Sequence, residues 1–360
     1  MEYYKNYVSN TLAGTSGQYI FKAEDENKVH KGRIFYKIFC GGKYDYSFLF
    51  SNMTDSTFRE DVSCNQPCGE WELISAHVGI CASYGTNSAE DTKTPYALTF
   101  SGETKKLVQP SEMFCSDPVA LDGKSGEYIC IEIEFKGREF VYHPEIQIDS
   151  FVFDENRWVK SPMVPNPCMV GCSRKPKAKI GFLGDSITQG IGVTPNSYMH
   201  YTALLADKLG TDYSFWNLGI GCGQARDAAT DNVWLNKAKQ NDIVFVCFGV
   251  NDINHDQSAE EIEKSLYTIV TLLKKQGIKV ILQTVPPFDY EGDHAKTYRE
   301  INRFIMNDMP KIADAVFDNT KVLRVSEEQA TIAKYGGHPN EEGCQKWAEA
   351  LYSAVSDKLC

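Results

Sequence analysis

Residues 179–190 read Lys179-Ile180-Gly181-Phe182-Leu183-Gly184-Asp185-Ser186-Ile187-Thr188-Gln189-Gly190. This stretch begins as a short apolar run, which suits a buried strand, and then breaks into Gly-Asp-Ser with glycines on both sides. A serine therefore follows the carboxyl end of a predicted strand. Open parallel sheets bind ligands at that end, because the loops that leave the strand tips form the crevice. Ser186 is thus a candidate nucleophile.

Strand and helix patterns alternate from this stretch to the carboxyl terminus. The apolar spacing predicts further strands at 215–218, 243–248 and 279–284, and helices at 198–209, 227–238, 260–275, 298–309 and 341–355. Such alternation is typical of a parallel sheet with helices on both faces. We therefore expect an α/β/α domain over residues 177–360.

The leading part of the chain has a different pattern, because short β-like runs follow one another with turn residues between them. The predicted strands lie at 32–39, 46–50, 71–78, 97–101, 128–135 and 146–153. Many strands at short spacing predict an all-β sandwich or jelly roll over residues 1–165. Three prolines in 161–167 indicate a linker after it. Carbohydrate binding, covering of the cleft and a homodimer interface are all roles open to this accessory domain.

Composition and charge exclude several classes of partner. The 360 residues carry a formal net charge of −11 and no block rich in Lys or Arg, which argues against nucleic acid or an anionic membrane surface. No stretch is long and apolar enough to span a bilayer. The charged, aromatic start lacks the apolar segment of a signal peptide, so we expect a cytoplasmic protein.

The chain contains twelve cysteines, which we expect to be free thiols in a reducing compartment. Cys64 with Cys68 and Cys168 with Cys172 have a spacing within the broad range of structural zinc sites. The two pairs are far apart in the sequence and have no accompanying histidines. We therefore expect ordinary packing roles, and neither a metal nor another cofactor.

Polar residues and glycines follow the other predicted strands of the second domain. A glycine-rich run follows Asn217, the next strand ends in Gly249-Val250-Asn251-Asp252, and a late loop contains His338. Loops at one edge of a parallel sheet would bring these groups together. A serine hydroxyl needs a base to take its proton, and a tetrahedral intermediate needs hydrogen-bond donors aimed at its oxyanion. These groups are the parts that an acyl-transfer enzyme requires.

These four blocks, in this order, resemble the motifs of the SGNH or GDSL hydrolases, whose catalytic domain has a flavodoxin-like α/β/α sheet. The resemblance implies that Ser186 is the nucleophile and His338 the general base. It also implies an oxyanion hole made of the backbone N–H groups of Ser186 and Gly221 and the side-chain amide of Asn251. Thr188 stands where the nucleophile elbow of α/β-hydrolases has glycine, so that motif does not fit.

One position departs from the family pattern. Relatives commonly carry an aspartate three residues before the histidine, and this chain has Tyr335 there. The imidazole would then be oriented by a backbone carbonyl such as that of Gly336, or by a carboxylate from elsewhere. Asp289, Glu327 and Glu328 are the candidate carboxylates. We predict a serine–histidine dyad.

A strand-rich domain before such a hydrolase also resembles the acetyl esterases of carbohydrate esterase family two. This resemblance implies removal of O-acetyl groups from oligo- or polysaccharides, such as mannan or xylan, through an acyl-enzyme. Aromatic rings near the strand tips would stack on the sugar, or else pack in the protein, and the candidates are Trp216, Phe288, Tyr290 and Tyr335. The alternatives are a short-chain lipid esterase or lysophospholipase, and a catalytically inactive carbohydrate-binding protein.

Overall fold

The computed structural model describes residues 2–55, 65–82 and 92–359, and its backbone divides into two units. The leading unit extends to Lys175, and the second unit begins at Pro176. Residues 169–172, which follow the predicted linker, form a strand of the leading unit. These residues pair with Tyr46–Leu49, which are far away in the sequence. The proline content of the neighbouring stretch therefore could not indicate that residues 169–172 form a strand.

The leading unit is built from antiparallel strands. After helix α1 (Tyr3–Asn6) its strands are β1 Val8–Ser9, β2 Tyr19–Lys22, β3 His30–Lys37, β4 Gly42–Ser51, β5 Trp71–Cys81, β6 Tyr96–Ala97, β7 Lys106–Val108, β8 Met113–Cys115, β9 Val119–Gly123, β10 Tyr128–Gly137, β11 Glu139–Tyr142, β12 Ser150–Asp154, β13 Arg157–Lys160 and β14 Met169–Cys172. One sheet has the order β1-β14-β4-β8 with β9 also beside β4, and another has the order β13-β12-β3-β10-β5-β6 with β7 beside β5. Strands β2 and β11 form a separate pair.

Aromatic side chains fill the core between the two larger sheets. The ring of Trp71, on β5, lies 6.2 Å from that of Phe114, on β8 of the other sheet. Phe114 in turn stacks on Phe50 at 5.1 Å. The indole N–H of Trp71 donates to Asn52 Oδ1 at 3.0 Å, which satisfies its polar edge inside the core. The antiparallel β architecture predicted for this region is confirmed.

The second unit contains the parallel sheet that the alternating pattern predicted. Its strands are β15 Ala178–Gly184, β16 Tyr213–Asn217, β17 Ile243–Cys247, β18 Lys279–Gln283 and β19 Ala315–Phe317. Its helices are α2 Ser186–Gln189, α3 Tyr201–Leu209, α4 Ala225–Ala228, α5 Val233–Ala238, α6 Val250–Asn254, α7 Ala259–Lys274, α8 Gly292–Asn307, α9 Thr320–Leu323 and α10 Glu341–Val355, with 3-10 turns at Met309–Lys311 and Ser356–Lys358.

The strand order β16-β15-β17-β18-β19 decides where a ligand would bind. Strand β15 comes first in the sequence of this unit but lies between β16 and β17 in the sheet. The chain therefore moves to one side of β15 to form β16 and then crosses to the other side to form β17. A crevice forms at such a switch point, outside the carboxyl ends of the strands. Leu183 pairs with Val246 and Gly184 with Cys247, so the loops after β15 and β17 begin side by side.

Several predicted helices have different bounds in the structure. The helix predicted at 227–238 is two short helices, because the side chain of Asn232 accepts from Leu235 N at 2.8 Å and starts a new one. The helix predicted at 298–309 begins at Gly292 instead. Strand β19 was not predicted, since three residues carry too little periodicity.

Two findings concern membranes and metals. Across residues 2–55, 65–82 and 92–359, no helix has the length and apolar character needed to cross a bilayer. Within the same ranges, no cluster of three or more His, Cys, Asp or Glu side chains is arranged to hold a metal ion. Cys64 of the first cysteine pair lies outside the described residues, and Cys168 and Cys172 are buried and not joined in a disulfide.

Candidate active site

Ser186 begins helix α2 immediately after strand β15. The Asp185 carboxylate accepts from Ile187 N at 3.0 Å and caps the helix. Gly184 is required for this turn, because a Cβ there would lie 2.2 Å from Thr188 Oγ1 and 2.5 Å from Cys247 O. The tight strand-to-helix turn therefore fixes the serine at the carboxyl end of the strand.

His338 lies in the loop that leads into helix α10. Its Nε2 is 2.8 Å from Ser186 Oγ. The loop is closed by a hydrogen bond from Asn340 N to Tyr335 O at 3.0 Å, and Asn340 also caps α10 by accepting from Gly343 N at 2.9 Å. The serine and the imidazole thus lie within the distance that proton transfer between them requires.

The three carboxylates considered for orienting His338 each have another partner. Asp289 Oδ1 accepts from Ala333 N at 2.8 Å. Glu327 forms an exposed ion pair with Arg324 at 3.1 Å. Hydrogen bonds from its own backbone N–H and from a neighbouring serine hydroxyl lower the pKa of Glu328. The serine–histidine dyad stays a prediction.

The loops after β16 and β17 contain the other predicted residues. Gly223 N donates to Ile220 O at 3.2 Å, which closes a β-turn with Gly221 and Cys222 at its centre. Cys222 has φ +61°, a conformation that glycine would adopt more readily. Asn251 Nδ2 donates to Gly223 O at 2.9 Å and so joins the two loops. Its amide carries a second N–H, which this bond leaves available.

The serine and the predicted oxyanion residues therefore follow three neighbouring strands, and His338 reaches them from the loop before α10. Strands β16, β15 and β17 are adjacent in the sheet, and their loops carry Gly221, Ser186 and Asn251 respectively. Ser186 is the first residue of α2, where a backbone N–H has no intrahelical acceptor. The arrangement presents a hydroxyl, a base and several N–H donors at one edge of the sheet.

Two buried carboxyls lie beside this edge. Burial raises the pKa of Asp185 to about 7, and the charge of Asp252 adds to the effect. Burial also raises the pKa of Asp252 to about 7, although its carboxylate accepts from Ala225 N at 2.9 and 3.1 Å. His200 caps helix α3 through Nδ1, and burial lowers its pKa to about 4. At neutral pH this imidazole is uncharged.

The four candidate aromatic residues differ in exposure. Trp216 is 3% exposed, Tyr290 5% and Tyr335 7%, so these rings lie in the protein interior and offer no face to a sugar. Phe288 is half-buried, and its ring lies 5.3 Å from that of His338. Sequence patterns indicated the positions of these rings near strand ends but carried no information on burial.

Asn217 is a further residue of this site, one that the sequence motifs did not indicate. Its Nδ2 donates to Thr188 O at 3.0 Å, and its Oδ1 accepts from Gly219 N at 2.9 Å. It therefore ties helix α2, which begins with Ser186, to the glycine-rich loop. One feature of the sequence could have indicated it. Asn217 lies at the end of an apolar strand, the same kind of position that made Ser186 a candidate nucleophile.

Known proteins resemble this chain most clearly in the second unit. Residues 182–346 match the GDSL-like lipase/acylhydrolase family. An acetylxylan esterase of Xylanibacter ruminicola is 23% identical over 249 residues, which make up 61% of this chain and 49% of that protein. The chain thus spans about half the length of this relative.

Solved structures with similar folds include a family two carbohydrate esterase from Clostridium thermocellum in complex with cellohexaose. It is 15% identical with a TM-score of 0.42, over 98% of this chain and 99% of that one. A member of the lipolytic protein G-D-S-L family from Veillonella parvula is 19% identical with a TM-score of 0.40, over 49% of this chain and 98% of that one.

Proposed function

Because residues 182–346 of this chain form a domain of the GDSL-like lipase/acylhydrolase family, we propose that the protein is a serine esterase that removes O-acetyl groups from carbohydrates. The observation that carries the proposal is the 2.8 Å distance between Ser186 Oγ and His338 Nε2 at the switch point of the sheet. A nucleophile and a base in contact, beside N–H donors on the neighbouring strand ends, are the minimum set for acyl transfer.

In the acylation step, Ser186 Oγ attacks the ester carbonyl while His338 Nε2 takes the hydroxyl proton. The tetrahedral intermediate carries its negative charge on the former carbonyl oxygen. The imidazolium then gives the proton to the leaving sugar oxygen, the C–O bond breaks, and an acetyl-serine is left. In the second step His338 activates a water that hydrolyses this ester and frees acetate.

Three donors stabilise the oxyanion in this scheme. They are the backbone N–H groups of Ser186 and Gly221 and the side-chain amide of Asn251. The hydrogen bond from Asn251 to Gly223 supports the assignment, because it holds the amide against the turn that carries Gly221. Fixed donors of this kind need no reorganisation when charge develops, and removal of one such donor typically raises the barrier by about 2.7–4 kcal/mol.

Two observations support an acetylated carbohydrate as substrate. The relative from Xylanibacter ruminicola is an acetylxylan esterase. The net charge of −11 also suits a neutral sugar better than an anionic lipid surface. Acetylated oligo- or polysaccharides such as mannan or xylan fit this description.

Release of nitrophenol from acetyl, butyryl and octanoyl esters tests the proposal. We expect rapid release from the acetyl ester, little from the octanoyl ester, and none above background with Ser186→Ala. A preference for octanoyl would instead indicate a lipid esterase, and no hydrolysis at all would contradict the proposal and favour a catalytically inactive protein. Acetate release from acetylated xylo- and manno-oligosaccharides then identifies the sugar.

A further inference from the structure

The structure holds His338 between two loops by packing contacts. On one side, Gly192 has φ +109°, and a Cβ there would lie 2.9 Å from both Cβ and the carbonyl oxygen of His338. The loop around Gly192 therefore packs directly on the main chain of His338. On the other side, the ring of Phe288 meets the imidazole edge to face, with centroids 5.3 Å apart and an interplanar angle of 79°.

Phe288 is itself held in place. A Cβ at Gly337 would lie 3.1 Å from Cε2 and Cζ of Phe288, so the ring packs against the backbone of the residue before His338. The ring of Tyr290 lies 6.2 Å away on the same loop. The Phe288 ring thus contacts both the imidazole and the chain that carries it.

The loop that carries Phe288 is anchored at both ends. Asn302, on helix α8, accepts from Val285 N at 2.8 Å and donates to Val285 O at 3.0 Å. Pro286 and Pro287 follow and restrict the backbone. Beyond Phe288, the carboxylate of Asp289 accepts from Ala333 N at 2.8 Å and ties this loop to the segment that leads to His338. A ring on such a loop has a fixed position relative to the histidine.

We propose that Phe288 is a positioning residue for His338, one that holds the imidazole plane in line with Ser186 through its edge-to-face contact. The inference rests on the proposed esterase function. A general base must keep its ring plane aligned with the proton that it takes, and loss of that alignment slows the reaction even when substrate still binds. The role differs from that of a sugar platform, because it acts on every substrate, whether or not it contains sugar.

The test compares Phe288→Ala and Phe288→Tyr with the wild type on nitrophenyl acetate. Loss of an aromatic contact of this kind predicts a kcat about tenfold lower for Phe288→Ala, with KM nearly unchanged. Phe288→Tyr keeps the ring and is expected to restore most of the rate. Tyr352→Ala removes a partly exposed ring elsewhere on helix α10 and serves as the control, with kcat unchanged.

A second readout separates positioning from substrate binding. The rate at which a small fluorophosphonate labels Ser186 depends on activation by His338 and involves no sugar. We expect this rate to fall in parallel with kcat in Phe288→Ala, while the thermal unfolding midpoint stays close to that of the wild type. Unchanged kcat and labelling in Phe288→Ala would overturn the inference, and a higher KM for acetylated saccharide alone would make Phe288 a sugar contact instead. If the wild type hydrolysed no ester, the proposed function itself would have failed.

Discussion

Replacing Asp185 with asparagine tests how the buried carboxyl beside the nucleophile affects stability. Burial, reinforced by Asp252, raises the pKa of Asp185 from its ordinary 3.8 to about 7. This difference corresponds to about 4 kcal/mol of free energy between the neutral and charged forms. Asparagine keeps an oxygen that can accept from Ile187 N and is a favourable cap, so Asp185→Asn removes the titration and keeps the hydrogen bond.

The sign of the effect follows from where the proton is held. Below about pH 4, the carboxyl is protonated in both the folded and the unfolded chain. Between about pH 4 and about pH 7, the unfolded chain releases this proton while the folded chain retains it, so stability falls as the pH rises. Above about pH 7, Asp185 is ionised in the folded chain as well, and stability falls no further. Relative to the wild type, Asp185→Asn therefore becomes more stable with rising pH, by up to about 4 kcal/mol.

Urea unfolding followed by tryptophan fluorescence, repeated across this pH range, measures the difference between variant and wild type. Asp212→Asn, at an exposed carboxyl of the same unit, is the matched control for the replacement of a carboxyl by an amide. Parallel curves for Asp185→Asn and the wild type would refute the reasoning, because they would mean that Asp185 titrates alike in the folded and unfolded states.

Two further substitutions test the oxyanion loops. Asn251→Ala should lower kcat for nitrophenyl acetate by about 10² to 10³ with little change in KM, since the amide acts on charge that develops in the transition state; a loss below tenfold would exclude Asn251 from that role. Cys222→Gly should raise the free energy of unfolding by about 1 kcal/mol. Cys222 has φ +61°, and in this left-handed conformation a side chain has a steric free-energy cost that glycine lacks. A destabilised Cys222→Gly would show that contacts of the thiol outweigh the backbone strain.

Much of the site could be predicted because parallel strands end at one edge. Ser186 and Asn251 both follow apolar runs, and a parallel sheet brings such positions together whatever the rest of the chain does. The contact between Ser186 and His338 was inferred from motif order, since His338 follows no strand. What could not be predicted depends on packing between distant residues.

Burial and long-range pairing account for the differences. Tyr290 and Trp216 have the same aromatic character as Phe288, yet the first two are buried and the third is half-buried, a distinction made by their surroundings. Strand Met169–Cys172 follows a proline-rich stretch that resembles a linker, but pairing with β4 decides its conformation. The support for His338 likewise comes from Gly192 and Phe288, which lie far from it in the sequence.

Trapping of the acyl-enzyme tests the central claim most directly. The chain is mixed with nitrophenyl acetate, quenched in acid within the first turnover, digested and analysed by mass spectrometry. We expect one acetyl group on the peptide that carries Ser186 and none in Ser186→Ala. Acetylation at another residue, or steady hydrolysis by Ser186→Ala at the wild-type rate, would contradict the assignment of Ser186 as the nucleophile.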